Sequence, residues 1–295
     1  MKPHILFLSV LSLFISSCKD GTKTSQDTAQ HKGQNIIENL KTSLTLYASF
    51  DETAEADFAR GDKQIYSVTN RKAIDSAKVG IHKESVSLSK DKGKQGGSLS
   101  FADKTKGYIY YKSLNNIAYS KVDWSGSISF WLSLTPNEDL KPGYCDPIQI
   151  TDSGYNDAGI WVDYTKENPR DFRLGVIGDR VSWNPKPNGP DNENPNFISQ
   201  LIPLKNPPFS KDRWTHIVIN FEHLNTDNAK AALFVDNTKV GERDIKDPFT
   251  WEVEKSNIFL GLSYIGHMDE LSIYNRTLNT SEIDALYTLE DRLID

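Results

Sequence analysis

The stretch that decides the fold is Gly266-His267-Met268-Asp269-Glu270-Leu271-Ser272-Ile273-Tyr274-Asn275-Arg276, near the C-terminus. Side chains of a strand point alternately to its two faces, so Asp269 is predicted to share a face with the apolar Leu271 and Ile273. A carboxylate at the edge of a core is costly unless it is hydrogen-bonded, paired with a cation or bound to a metal. We therefore expect a closing strand in which Asp269 either accepts backbone N–H bonds or binds a metal ion.

Runs with the same alternation recur upstream of this strand. The clearest is Ser127 to Leu134, where Ile128, Phe130 and Leu132 alternate with serines and Trp131. Comparable runs predict further strands near residues 44–50, 98–101, 108–111, 147–151, 159–164, 172–177, 214–221, 231–236 and 258–262. A helical period is clear only in the tail, where Asn279 and Glu282 form a capping arrangement.

Composition sets the broad class of the protein. The chain has 295 residues, of which 37% are hydrophobic and 11% aromatic, enough for a sizeable core. Its formal net charge is -6 and its basic residues do not cluster, which argues against a nucleic-acid partner. The sequence predicts one all-β domain over residues 44–295, a two-sheet antiparallel sandwich or jelly roll with a short C-terminal helix.

The N-terminus has the pattern of a targeting segment. Lys2 and His4 flank the start of an apolar run over residues 5–15, which is shorter than the roughly 20 residues that a membrane-spanning helix needs. We interpret residues 1–17 as a signal peptide and the polar residues 18–43 as a flexible tether. Ile15-Ser16-Ser17-Cys18 resembles the bacterial lipobox, which implies lipid on Cys18 and a membrane anchor; an ordinary secretory signal is the alternative.

Five fragments of the domain follow one another in a recognisable order. They are Leu46-Tyr47-Ala48-Ser49-Phe50-Asp51, Gly96-Gly97-Ser98-Leu99-Ser100-Phe101, Ile128-Ser129-Phe130-Trp131-Leu132, Arg213-Trp214-Thr215-His216-Ile217-Val218 with Ala232-Leu233-Phe234-Val235-Asp236, and the closing stretch continued to Ile283. In this order they resemble the LamG-like jelly-roll family of the concanavalin A-like lectin/glucanase superfamily. The long segment from Asn184 to Pro208 departs from the family pattern and is predicted to be an insertion.

The resemblance implies a possible structural calcium. Some family members hold Ca²⁺ between the acid of the first strand and the Asp of the closing strand, which here would be Asp51 and Asp269, with a backbone carbonyl near Gly97. Calcium takes six to eight oxygen ligands, so two carboxylates alone do not suffice. The expected role is to hold the chain termini together.

Carbohydrate binding would use an aromatic face with polar groups beside it. Trp161 and Asp163 point to the predicted non-core face of their strand, as Trp131 does in its own, and a displayed indole can stack on a sugar. Arg173 could pair with an anionic sugar. The alternative is that the insertion, with Trp183, folds over these rings and makes a second small core.

Several functions stay open at this stage. The glucanases of this superfamily resemble one another in a Glu-x-Asp-x-x-Glu strand. This sequence has no such strand, so it favours binding over catalysis. We expect an outer-membrane lipoprotein that binds a polysaccharide or oligosaccharide, as an accessory in polysaccharide uptake or breakdown. The alternatives are a surface module that binds other envelope proteins, and a polysaccharide-degrading enzyme with an unrecognised site.

Overall fold

The computed structural model describes residues 33–294, and these form two facing antiparallel sheets. The nine strands of the first sheet are β1 (Leu44–Ala48), β2 (Phe58–Ala59), β5 (Val86–Ser89), β6 (Ser98–Phe101), β8 (Trp124–Ser133), β13 (Thr215–Leu224), β14 (Lys230–Val235), β15 (Thr238–Asp244) and β17 (Gly266–Tyr274). The eight strands of the second sheet are β3 (Tyr66–Val68), β4 (Lys78–Val79), β7 (Tyr108–Lys112), β9 (Cys145–Thr151), β10 (Gly159–Tyr164), β11 (Phe172–Ile177), β12 (Leu201–Leu204) and β16 (Asn257–Leu262).

Non-sequential pairing gives the sandwich its jelly-roll character. The first sheet runs β15-β14-β13-β8-β17-β1-β2, with β6 also paired to β17 and β5 paired to β6. The second runs β12-β11-β10-β9-β16-β7-β3-β4. The predicted all-β, two-sheet antiparallel fold with a C-terminal helix is confirmed, and every strand predicted from alternation is present.

Helices are short and lie outside the sheets. They are α1 (33–43), α2 (Pro136–Asp139), α3 (Arg180–Trp183), α4 (Pro195–Ile198) and α5 (Thr280–Thr288), with 3₁₀ turns at Arg71–Ser76 and Asp191–Glu193. The predicted cap of α5 is confirmed, because the Asn279 side chain accepts from the Glu282 N–H while Glu282 accepts from the Asn279 N–H.

The core between the sheets is built from the inward side chains of each strand. Ile128, Phe130 and Leu132 of β8 enter it as the alternation predicts, and Ile148 of β9 and Ile258 of β16 meet them from the second sheet. All five are essentially inaccessible to solvent. Burial of such side chains contributes about 1.5–3 kcal/mol each and is the main source of stability.

The outer face of the first sheet is also buried, which differs from the predicted half-buried strand at β8. A second apolar cluster covers it, in which Leu40 of α1 and Ile283 and Leu286 of α5 pack against Val218 and Tyr274 of the sheet. Residues 33–43 are therefore part of the domain, whereas the sequence prediction placed them in a tether. The few apolar residues of this segment, Leu40 among them, suffice because α1 packs on a ready-made apolar face. The predicted signal peptide and Cys18 lie outside the described residues.

A bulge in β17 corrects the predicted phase of the closing strand. Pairing with β8 shifts register between Asp269 and Ser272, and Glu270 adopts a positive φ of 51°. Met268, Leu271 and Ile273 all face the inter-sheet core as a result. The two adjacent acids, Asp269 and Glu270, both lie on the outer face, whereas strict alternation placed Asp269 with the apolar residues.

Candidate functional site

Three of the predicted ligand-binding residues meet on the outer face of the second sheet. Trp161 and Asp163 belong to β10, and Arg173 of β11 lies directly opposite Asp163 in the strand register. Trp183, in α3, packs with Trp161 in one apolar cluster. The alternation of β10 therefore predicted correctly which side chains leave the core.

The prediction that Trp161 displays its ring to solvent is wrong. Only 2% of the residue is accessible, because two aromatic side chains pack beside it. Trp183 lies just before the predicted insertion, and Phe197 lies within it. The Phe197 ring stacks on the indole at a centroid distance of 6.1 Å, and the indole N–H donates to the Tyr155 carbonyl oxygen at 2.7 Å. The alternative interpretation, a second small core under the insertion, describes this ring correctly.

A buried carboxylate fixes the insertion in place. Asp191 accepts hydrogen bonds from the side-chain amides of Asn156 and Asn184 and pairs with Arg180 at 2.9 Å. Burial alone would raise the pKa of Asp191, but the hydrogen bonds from these partners outweigh it and lower the pKa. These contacts hold the insertion in a fixed position, where it forms a wall beside β10.

A small hollow opens between this wall and the sheet, with a volume of about 70 Å³. We call it the glycan hollow, and the residues that line it are Tyr144, Asp146, Tyr155, Trp161, Asp163 and Asn192. It has room for about two water molecules at the roughly 30 Å³ that each occupies in the liquid, or for one edge of a sugar ring. Its aromatic rings offer apolar contact, and the carboxyl and amide groups beside them offer hydrogen bonds, a combination typical of small-molecule sites.

The acids of the glycan hollow differ in their partners. Asp163 is paired with Arg173 through both carboxylate oxygens, and the guanidinium of Arg173 lies 5.1 Å from the centre of the Tyr144 ring. Asp146 instead accepts a hydrogen bond of 2.6 Å from the Gln149 amide. Burial and the neighbouring Asp163 charge raise the pKa of Asp146 to about 8, although Arg71 and Arg173 also face it and act in the opposite direction.

Gln149 connects the glycan hollow to a larger one on the same face. Its carbonyl oxygen accepts from Arg71, whose guanidinium lies 4.2 Å from the centre of the Phe259 ring. The larger hollow has a volume of about 470 Å³ and is bordered by Arg71, Phe259 and a stacked pair, Tyr66 and Tyr110. This volume falls within the range of about 300–1,000 Å³ that small-molecule sites show.

Another hollow, of about 720 Å³, lies away from this face. Its walls are loop residues at one end of the sandwich, among them Tyr119, Asn225 and the segment from Ile245 to Glu252. Phe249 and Trp251 contribute to it from largely buried positions.

Trp131 lies far from these groups, on the outer face of the first sheet. Its ring stacks on His216 at 4.6 Å and on Tyr287 of α5 at 5.8 Å, and only 6% of the residue is accessible. The prediction that Trp131 belongs to a ligand-binding face is therefore wrong as regards access, because α5 covers the serine-lined face of β8. The buried His216 donates to or accepts from Ser129, and burial lowers its pKa to about 3.

The predicted calcium residues are close together but already have donors. Asp269 accepts backbone N–H bonds from Lys94, Gln95 and Glu270, at 2.6, 3.2 and 2.9 Å. Asp51 accepts from the Gly97 N–H at 2.6 Å and pairs with Arg292 at 3.0 Å. Since these donors occupy the oxygens that a cation would use, the site as built does not fit Ca²⁺.

Within residues 33–294, no group of three or more His, Cys, Asp or Glu side chains is placed to hold a metal ion. Calcium binding at Asp51 and Asp269 stays a prediction with a direct test.

Sequence reasoning missed four of the six residues that line the glycan hollow. Tyr144 directly precedes β9, and Asp146 lies at its start, where a register shift against β10 brings Asp146 to the outer face. Tyr155 comes from a loop and Asn192 from a 3₁₀ turn, for which period-two alternation gives no signal. The Asp-Pro pair at residues 146 and 147 was the available hint, because proline within a strand often marks a bulge.

Comparisons with known proteins agree with this architecture. A family model described as the concanavalin A-like lectin/glucanases superfamily matches residues 103–284, more than half of the chain. No curated protein sequence matches the chain. Within residues 33–294, no helix is both long and apolar enough to cross a membrane.

Solved structures show the same fold at low sequence identity. Domain 4 of an extracellular arabinanase from Geobacillus stearothermophilus, in complex with arabinotriose, is 15% identical with a TM-score of 0.51; the match covers 83% of this chain and 98% of that domain. The ligand binding domain of botulinum neurotoxin serotype D, in complex with N-acetylneuraminic acid, is 12% identical with a TM-score of 0.55; the match covers 85% of this chain and 52% of that one.

Proposed function

This chain belongs to the concanavalin A-like lectin/glucanases superfamily, and on that premise we propose that it is a carbohydrate-binding module. The observation that carries the proposal is the glycan hollow. The half-buried rings of Tyr144 and Tyr155 lie beside Asp146 and Asn192 in its wall. Apolar ring surface and hydrogen-bonding groups therefore line the same concave site. Two structural neighbours are solved with arabinotriose and N-acetylneuraminic acid, which supports a sugar as the ligand class.

The larger hollow suits an extended ligand. Asp146 and Thr151 lie at opposite ends of β9, five residues apart, and each borders one hollow. At about 3.4 Å per residue this separation is roughly 17 Å, the length of a few sugar units. We infer that an oligosaccharide or a segment of polysaccharide lies along the outer face of the second sheet.

We further propose that the module is an outer-membrane lipoprotein anchored through Cys18. The support is the lipobox-like sequence together with the position of α1, the first described element. Because α1 packs on the outer face of the first sheet, the chain enters the domain on the side opposite the glycan hollow. An anchored domain would then direct its glycan-binding face away from the membrane, as an accessory in polysaccharide uptake or breakdown requires.

A hydrolase is the second candidate, and one observation favours it. Two carboxyl groups line the glycan hollow, and the pKa of Asp146 is raised to about 8, as a general acid requires. Both oxygens of Asp163 are engaged by Arg173, however, so the second carboxylate is not available as a nucleophile or base. Chromatography of the polysaccharides after incubation would reveal shortened products if the protein were an enzyme.

Affinity electrophoresis tests the binding proposal. The protein is run through gels that contain arabinan, xylan, mannan or galactan, and at least one is expected to retard it. Tyr144→Ala should weaken that retardation about tenfold, which corresponds to about 1.4 kcal/mol of lost contact energy. Tyr287→Ala is the matched control, since this partly exposed tyrosine lies on α5 at the opposite side of the sandwich. Failure of every polysaccharide to retard the wild-type protein would refute the proposal.

A further inference from the structure

The basic side chains nearest the glycan hollow are already committed to partners within the protein. Arg173 donates from two nitrogen atoms to the two oxygens of Asp163. Arg71 donates to the Gln149 side chain and, at 2.9 Å, to the Ser153 carbonyl oxygen. Among the described residues, the lining of the glycan hollow includes two acids and no lysine or arginine.

The basic residues that line the larger hollow are also engaged by protein groups. Three basic residues line it, Arg71, Lys112 and Lys255, against three acidic ones. Lys112 pairs with Asp62 at 3.3 Å, and Lys255 pairs with Glu252 at 2.7 Å. Each cation that lines the larger hollow therefore donates to a protein group before any ligand arrives.

We propose that the outer face of the second sheet selects uncharged sugars and rejects glycans that carry carboxylate or sulfate groups. This inference rests on the proposed function and specifies its ligand class. An anionic sugar in the glycan hollow would lose its hydration without gaining an unengaged cation, because Arg71 and Arg173 already donate to Gln149 and Asp163, and it would lie beside the Asp163 carboxylate. A neutral sugar meets no such cost, because its hydroxyl groups both donate and accept hydrogen bonds.

Asp146 adds to this selectivity. Burial and the neighbouring Asp163 charge raise the pKa of Asp146 and favour its protonated form, which can donate to a sugar oxygen as well as accept from a hydroxyl group. A carboxylate or sulfate on the ligand offers only acceptors, so it could use the proton of Asp146 but not the acceptor oxygens of Asp146 and Asp163.

Chemical derivatives of a single polysaccharide test the inference. Whichever neutral polysaccharide retards the protein is converted into a hydroxyethyl derivative and a carboxymethyl derivative of equal substitution, which differ mainly in charge. At constant ionic strength, the hydroxyethyl form should keep its retardation and the carboxymethyl form should lose at least tenfold. Equal retardation by the two derivatives would overturn the selectivity while leaving carbohydrate binding intact. Retardation by neither parent nor derivative would overturn both.

A gain of charge provides the complementary test. Asn192→Lys places an uncommitted cation at the rim of the glycan hollow, on the half-exposed 3₁₀ turn of the insertion. This variant should recover retardation by the carboxymethyl derivative, whereas Asn188→Lys, an exposed position of the same insertion that does not line the hollow, should not. If neither lysine, or both equally, increased the retardation, the missing cation would not be the cause of the selectivity.

Discussion

Replacing Gly175 with alanine would place a Cβ atom against the indole of Trp161. The added atom would lie 2.3 Å from Cζ2, 2.4 Å from Cε2 and 2.7 Å from Cη2 of that ring, all well inside van der Waals contact. The ring cannot easily move away, because Phe197 stacks on it and its N–H is bonded to Tyr155. Such overpacking costs about 1–3 kcal/mol.

This cost should appear as a lower melting temperature. For a domain of this size, each kcal/mol shifts Tm by about 2–4 °C, so Gly175→Ala should melt about 2–12 °C below the wild type. Circular dichroism during thermal unfolding gives the measurement. Gly241→Ala in β15 is the control, since its Cβ would approach a single atom, the Cγ2 methyl carbon of Ile202, and should cost less. An unchanged Tm in Gly175→Ala would show that Trp161 is free to move, and would refute a packed floor for the glycan hollow.

Further predictions concern the rest of the molecule. Trp131→Ala should destabilise the fold by about 3–5 kcal/mol in urea titrations, yet leave glycan retardation of the folded protein unchanged; a loss of binding at constant stability would restore Trp131 to the site. Since the carboxylates of Asp51 and Asp269 already have protein donors, Tm should be the same in EGTA and in excess CaCl₂, and a lower Tm in EGTA would establish the calcium site that the family resemblance implies. Because the pKa of Asp146 is raised from 3.8 to about 8, its contribution to stability is complete below about pH 4 and is lost as the pH rises through 8. Wild type should therefore lose stability relative to Asp146→Asn, whose side-chain amide does not ionise, as the pH rises from 5 to 9, and a pH-independent difference would contradict the raised pKa.

The sequence was informative wherever one rule governed a residue. Alternation in β8 and β10 placed Phe130 in the core and Trp161 outside it, because strand side chains obey a strict period of two. The capping pair at Asn279 likewise identified the start of α5.

Other features depended on contacts that a local pattern does not contain. Burial of Trp161 and Trp131 results from an insertion and a helix that are distant in sequence, so alternation gave their direction but not their access to solvent. The bulge at Asp269 and Glu270 broke the predicted alternation, because one residue in the left-handed conformation interrupts the period of two. Leu271 and Ile273 face the core as predicted, whereas Met268 takes the core position that alternation gave to Asp269. The family resemblance identified the sandwich but not the loops that complete the glycan hollow.

The most direct test of the central claim is a crystal structure of the protein with an oligosaccharide from the polysaccharide that retards it. We expect a sugar ring in contact with the ring of Tyr144, with a hydroxyl group of the sugar within hydrogen-bonding distance of the Asp146 carboxyl group. Sugar density in the end hollow beside Tyr119 and Trp251, or on the outer face of the first sheet, would contradict the account.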